Sequence, residues 1–261
     1  MKSVIICEGN TDLTLIQYFL EKAYNWKYIE KSSYKEYSED GTIHLLNTKN
    51  ENDSKWMKFN EDVLCILSSG GVSGIPNMLS QILDLNNLGS VKKFDKIVVI
   101  SDRDEANGEG DFISKLTNEF IKYGIKFTSE ELHNCWNVAE YSDLKEDSYS
   151  INLLPLIIPF EDTGSIETFL LDALSAACEI DKKVIEQCKS FIDAIDCKDN
   201  ENNFKYLKHR RERTKAKFDT AFVVMTPATA FERRRTLLRS VPWEQYETIQ
   251  SSFKLLSKLR Q

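Results

Sequence analysis

What this sequence lacks narrows it first. No stretch approaches the roughly 18 consecutive apolar residues of a membrane-spanning helix, so no membrane partner is expected. Six cysteines, at 7, 65, 135, 178, 188 and 197, include no CxxC pair and no paired metal-ligand spacing. That excludes a zinc module of the usual spacing and makes a disulfide framework unexpected. Cys7 and Cys65 fall inside apolar runs, where reduced cysteines pack as small hydrophobes. The three histidines are scattered: His44 in a polar stretch, His133 beside Cys135, His209 in a basic one. None has a partner at ligand spacing. There is no Walker A sequence and no nucleophile elbow around any serine. The first residues enter a strand directly, so no signal peptide is expected, and a reduced, cytoplasmic protein is the reading.

The chain has 261 residues, room for one large domain or a core of about 150 residues with an appendage. Hydrophobic content of 41% and charged content of 29% describe an ordinary globular chain. A net charge of −7 excludes a surface basic all over, but the charge is segregated. From Lys205 to Arg239 eleven Lys and Arg face three acids, leaving the rest strongly acidic. Such a split suits a basic face for nucleic acid beside a carboxylate cluster for metal, and equally a solvated basic helix.

Two apolar runs end in acids. Lys96-Ile97-Val98-Val99-Ile100-Ser101 leads into Asp102-Arg103-Asp104, and Ser3-Val4-Ile5-Ile6-Cys7 leads into Glu8-Gly9. Both runs are β-branched and too short for helices, so they read as buried strands. Residues just past the carboxyl ends of such strands stand in the crevice where open α/β sheets bind ligands. If the two strands are neighbours, Glu8, Asp102 and Asp104 form an oxygen-rich pocket suited to Mg²⁺ or Mn²⁺. Three carboxylates converging without a counter-ion would repel by several kcal/mol, which a divalent cation relieves.

The remaining pattern alternates strand and helix. Asn10 or Thr11 caps a helix whose Leu13, Ile16, Phe19, Leu20 and Ala23 form one stripe, with Asp12 favourably placed in its first turn. Residues 26–61 are polar and read as an insertion, a hairpin on the sheet edge. Val63–Leu67 is a strand, followed by Ser68-Ser69-Gly70-Gly71 and a helix from Ser73 to Leu85. The Gly-Gly pair suits a tight turn ahead of a phosphate-approaching loop, because the spacing is not that of a P-loop. A helix with Phe112, Ile113, Leu116, Phe120 and Ile121 ends at Gly124. Ile151–Ile158 is a further strand, in which Pro155 implies an edge or a bulge. Beyond Pro159 the pattern is helical: one helix opens at Ser165, one covers 181–196, one runs from about 202 into Lys217, and 219–225 continues as helix or short strand. Trp243–Leu259 reads as a final amphipathic helix. The expected fold is therefore α/β, with a mostly parallel, Rossmann-like sheet, helices on both faces and a C-terminal helical region. The boundaries are 1–160 for the core and 161–261 for the helical part.

A strand–Glu-Gly–helix followed by a strand–Asp-x-Asp resembles the Toprim domain of topoisomerases, bacterial primases, recombination proteins and the overcoming-lysogenization-defect (OLD) nucleases. Ser165-Ile166-Glu167-Thr168-Phe169-Leu170 is similar to a further OLD-type segment, and Arg213-Thr214-Lys215-Ala216-Lys217 to the region of a phosphate-stabilising lysine. The resemblance covers residues 1 to about 220 and implies a metal-dependent nuclease. Asp102 and Asp104 would hold the metal, Glu8 would be a ligand or general acid/base, and Glu167 a further ligand. Lys215 or Lys217 would stabilise charge, and Arg210, Arg211, Arg213, Arg233, Arg234 and Arg235 would hold the backbone of DNA ahead of RNA. OLD nucleases carry an ATPase that this sequence lacks, so a standalone protein or an ATPase or other partner in trans is implied. No zinc module or marked tyrosine points to the primase or topoisomerase branches. The alternative is a non-catalytic Toprim-like module that binds metal, nucleic acid or a partner. A haloacid-dehalogenase-type phosphotransferase ranks last, since its Asp-x-Asp belongs on the first strand, where this chain has Glu8-Gly9.

Overall fold

Strand β1, Lys2–Cys7, is buried along its whole length, which its continuous apolar run demands only if neighbours cover both edges and helices both faces. The computed structural model supplies all of these. It describes residues 1–30, 33, 54–88, 92–103, 108–127, 132–142, 148–158, 165–197, 207, 209–226 and 238–260. Among them α1 is Asn10–Tyr24, β2 Lys27–Tyr28, β3 Ser54–Phe59 and β4 Asp62–Ser68. Then come α2 at Ile75–Leu88, β5 at Lys96–Asp102, α3 at Gly108–Lys122, β6 at Lys126–Phe127, β7 at Asn137–Ser142 and β8 at Ser148–Ile158. The C-terminal region holds α4 (Ile166–Ala177), α5 (Glu179–Cys197), α6 (Arg210–Met225) and α7 (Glu247–Phe253).

The eight strands form one sheet in the order β2-β3-β4-β1-β5-β8-β7-β6. Its four central strands are parallel, and the pairs on both flanks are antiparallel. The fold is the expected α/β class, with helices on both faces. Strand alternation divides the core accordingly. Val4, Ile6, Val99 and Leu67 pack under α2 and α3, while Ile5, Cys7, Val98 and Ile100 pack under α1 and the C-terminal helices. Trp243, Phe253, Leu256 and Leu259 belong to that second cluster, so the helical region shares one core with the sheet. Each such fully buried side chain contributes about 1.5–3 kcal/mol.

Several local expectations shift. Helix α1 is capped by Gly9, not by Asn10 or Thr11, because the Asp12 carboxylate accepts the Gly9 N–H at 2.8 Å and closes the first turn. The 26–61 stretch does place a hairpin-like pair, β2 and β3, on the sheet edge. The short apolar run Ile43-His44-Leu45-Leu46 within that stretch lies outside the described residues. Pro155 is on neither an edge nor a bulge. It sits in β8, an internal strand, opposite Val99 of β5, but beyond the last β7 pair at Asn137–Leu153. There Asn134, at φ 55, donates its N–H to the Pro155 carbonyl and accepts from Ile157 N–H on its side chain. The missing proline N–H therefore faces a loop, and no ladder bond is lost. Residues 219–225 are helix, the last turns of α6.

The expected Trp243–Leu259 helix breaks into a 3₁₀ turn at Trp243–Gln245, the short α7 and a 3₁₀ segment at Lys254–Arg260. Extended backbone at Tyr246 separates the first two. Phe253, Leu256 and Leu259 stand three apart, a spacing that lines one face of a 3₁₀ helix better than an α-helix.

Candidate functional site

Connections that leave adjacent strands toward opposite faces open a crevice at the carboxyl end of a sheet. β1 leads into α1 on one face, and its neighbour β5 leads into α3 on the other. Glu8 and Asp102 therefore stand side by side at that crevice, as the two strand-end motifs require. The turn after β4 supports them from the far side. Gly70 and Gly71 adopt φ of 77° and 126°, and Gly71 N–H donates to the Glu8 carbonyl at 2.7 Å. At Gly74 a Cβ would stand 2.1 Å from the Ser69 carbonyl oxygen, so the turn admits no side chain there. The Gly-Gly pair is thus a tight βα turn docked on β1.

Glu8 is 4% exposed, and its carboxylate is held by charge-assisted hydrogen bonds. Its Oε1 accepts the Ser101 hydroxyl at 2.8 Å and the Asp102 N–H at 3.1 Å. Its Oε2 pairs with Arg211 Nη2 of α6 at 2.9 Å, across 203 residues of sequence. Asp102 in turn accepts the N–H of Ile166, the first residue of α4, at 3.2 Å, so the carboxylate serves the positive end of that helix. Glu167 is the next residue and is buried.

Asp12 completes the group. Burial above all, with the charges of Glu167 and Glu8, pushes its carboxyl up to about 7, against the Gly9 N–H and the Lys215 charge that pull it down. The Cys7 thiol behind them is pushed well above its ordinary value by burial and by Asp12, Glu8 and Asp102, so it is no nucleophile. Four carboxylates thus stand around this end of the sheet: Glu8 just past β1, Asp12 on α1, Asp102 at the end of β5 and Glu167 on α4. A cavity of about 240 Å³ opens beside them, walled by Glu8, Ser101, Asp102, Val72, Phe112 and Lys115. Arg103 pairs with Glu109 on its rim, and His133 Nε2 lies 3.7 Å from the other Glu109 oxygen.

The sequence-assigned residues divide into three sets. Glu8, Asp102 and Glu167 come together, with Arg211 on Glu8 and Lys215 acting on Asp12. Lys217 faces elsewhere, paired with Asp193 of α5 at 2.6 Å, and Arg210 and Arg213 line a separate cavity with it. Asp104, Arg233, Arg234 and Arg235 lie outside the described residues. Sequence reasoning missed Asp12 and Ser101 as members of the site. Asp12 carried a signal, being the third residue of a helix that follows a glutamate-bearing turn. Ser101 carried one by alternation, since it points to the opposite side of β5 from Asp102.

The oxygen donors suit Mg²⁺ or Mn²⁺ in chemistry, and Asp12, raised to about 7 chiefly by burial and further by Glu167 and Glu8, sits among them. Among the described residues, no three His, Cys, Asp or Glu side chains are assembled closely enough to hold an ion.

A family model described as "Protein of unknown function (DUF3226)" matches residues 2–233, and the chain belongs to that family. No curated protein matches the chain. Its structure is similar to that of a hypothetical protein from Pyrococcus horikoshii OT3, at 16% identity, a TM-score of 0.50, and coverage of 100% of this chain and 99% of that one. That likeness shows the fold. A lactoylglutathione lyase from Agrobacterium tumefaciens matches 59% of this chain and 91% of its own at 13% identity, but its TM-score of 0.18 carries no argument.

Proposed function

We propose that this member of the DUF3226 family is a divalent-metal-dependent phosphodiesterase of the Toprim type that hydrolyses nucleic acid, DNA ahead of RNA. The observation that carries the reading is the juxtaposition of Glu8 and Asp102 on adjacent parallel strands, at the crevice where α/β sheets bind ligands. Glu8, Asp102 and Asp104, with Glu167, would hold Mg²⁺ or Mn²⁺, which when bound polarises a phosphate and activates water. The chain's own groups then do the positioning. Ser101 and the Asp102 N–H fix the Glu8 carboxylate. Arg211 stands at the same carboxylate with a planar guanidinium, the group best shaped to take a phosphate by two hydrogen bonds. Lys215 adds positive charge on the Asp12 side.

The test is cleavage of supercoiled plasmid, linear duplex and single-stranded DNA and RNA, with Mg²⁺, Mn²⁺ or EDTA. Wild type should nick in a metal-dependent manner, and Asp102→Ala/Asp104→Ala should fall to background while remaining folded. Full activity in that double variant sinks the mechanism.

One observation favours a second reading, a non-catalytic module that binds nucleic acid or a partner such as an ATPase. Both Glu8 oxygens are already satisfied by Ser101, the Asp102 N–H and Arg211, as in a structural latch between α6 and the sheet. Salt-dependent binding of nucleic acid with no cleavage of any substrate would select this reading.

A further inference from the structure

Helix α6 carries its cations on two faces. Arg211 and Lys215 share a stripe with the buried Phe218 and Phe222 and serve the acid crevice. Arg210, Arg213, Thr214 and Lys217 recur at i, i+3, i+4 and i+7, which is a second stripe about a third of a turn away. That second stripe walls a cavity of about 450 Å³ closed by Thr168 and Leu171 of α4 and Lys189 and Asp193 of α5. Four of its eight lining residues are cationic and one is acidic. Lys217 pairs with Asp193 at 2.6 Å, and Lys189 with Asp172 at 3.4 Å, both acids more than half exposed. Pairs of that kind are weak and readily exchanged for another anion. The threonine hydroxyls add neutral donors, so the lining is rich in groups that recognise phosphate oxygen.

We propose that this cavity is a second anion site, which grips a phosphate of a nucleic-acid strand whose neighbouring phosphate lies at the acid crevice. The inference rests on the phosphodiesterase reading for what lies in the crevice, and on the cavity itself for the grip. The two sites share walls. Glu167 and Thr168 are consecutive on α4, one in the acid group and the other in the cavity, and Arg211 and Arg210 are consecutive on α6. The cationic stripe from 210 to 217 is about 10 Å long at 1.5 Å per residue, the reach of a few nucleotides of one strand. A strand lying along α6 would therefore meet both sites without bending the helix.

The experiment is fluorescence anisotropy with a short labelled single-stranded DNA, in EDTA so that no cleavage occurs, over a range of salt. Lys189→Ala/Arg213→Ala should weaken binding at least about tenfold and lower the salt slope by about 1.4, since two phosphate-facing cations are lost. Lys254→Ala, an exposed cation elsewhere, should leave both unchanged. Thr168→Asp guards against a folding artefact. An acid in the first turn of α4 suits the helix dipole, so the variant should melt no lower than wild type, yet its carboxylate should close the cavity to phosphate. Unchanged DNA affinity in both cavity variants would overturn the inference. So would binding of inorganic pyrophosphate that the variants abolish while DNA affinity stays intact, which would assign the cavity to a free anion. A protein that cleaves but ignores these substitutions loses only this inference, and one that binds through the cavity without cleaving loses only the nuclease reading.

Discussion

The acid crevice and the basic cavity share helices α4 and α6, and they handle charge in opposite ways. In the crevice the acids Glu8, Asp12 and Glu167 are buried, while their cation Arg211 stays about a third exposed. Glu8 is 4% exposed, and Arg211 reaches it across the fold. In the cavity the charges sit near water, and their partners Asp172 and Asp193 are 63% and 55% exposed. A buried ion pair is expensive to break because the surviving charge has no water to turn to, whereas a solvated pair is nearly free to exchange. The crevice is thus preorganised, and the cavity is adaptable.

The comparison can be broken most sharply at Arg211. Arg211→Ala leaves the buried Glu8 carboxylate without its cation and should destabilise the fold by about 3 kcal/mol in urea denaturation. Adding Glu8→Gln to that variant should recover part of the loss. A cost under about 0.5 kcal/mol would show that Glu8 is not held as an isolated buried charge.

Asp12→Asn comes next, and its effect depends on pH. The folded state holds the Asp12 proton from about the ordinary value of 3.8 up to about 7, so stability falls as pH rises through that window. Thermal melts in EDTA should show the variant more stable than wild type by up to about 4 kcal/mol at pH 8, with the gain vanishing below about pH 4. A gain that grows toward low pH would reverse the sign and refute the burial of Asp12 as an acid held against its charge.

Asp102→Ala alone should cost about 1 kcal/mol, the loss of one acceptor at the α4 N-terminus, while removing any metal-dependent cleavage. Hydrogen exchange at the first turn of α4 would report the fraying. The smallest effect belongs to the cavity. Lys217→Ala should change stability by less than about 0.5 kcal/mol, since Asp193 simply returns to water. A loss above about 1.5 kcal/mol would show that the cavity, too, is preorganised.

Much of this was legible before any coordinates. The strands that end in Glu8 and Asp102, the helix stripes of α1 and α3, the stop at Gly124 and the basic stretch of α6 all follow from local period and charge. Pro155 misled because a proline forbids a ladder bond on one side only, and which strand covers that side, and for how far, is not a local property. The C-terminal segment misled because apolar residues three and four apart both look helical in sequence, and packing against α1 and the sheet settled which spacing was used. Asp12 went unassigned because a first-turn acid is ordinary, and only its own burial, with the charges of Glu167 and Glu8 beside it, makes it unusual.

By itself, then, the amino-acid order determined the class of fold, the two acid-bearing strands and the placing of positive charge on one late helix. These rest on backbone preferences and on periodicities that act over a few residues. Only the tertiary structure decided that β1 lies beside β5, that α6 turns Arg211 onto Glu8, and that Lys217 looks the other way toward Asp193. The reason is physical. A local pattern states which face of an element is buried, but the partner of a charge is set by which distant surface that burial brings within about 3 Å.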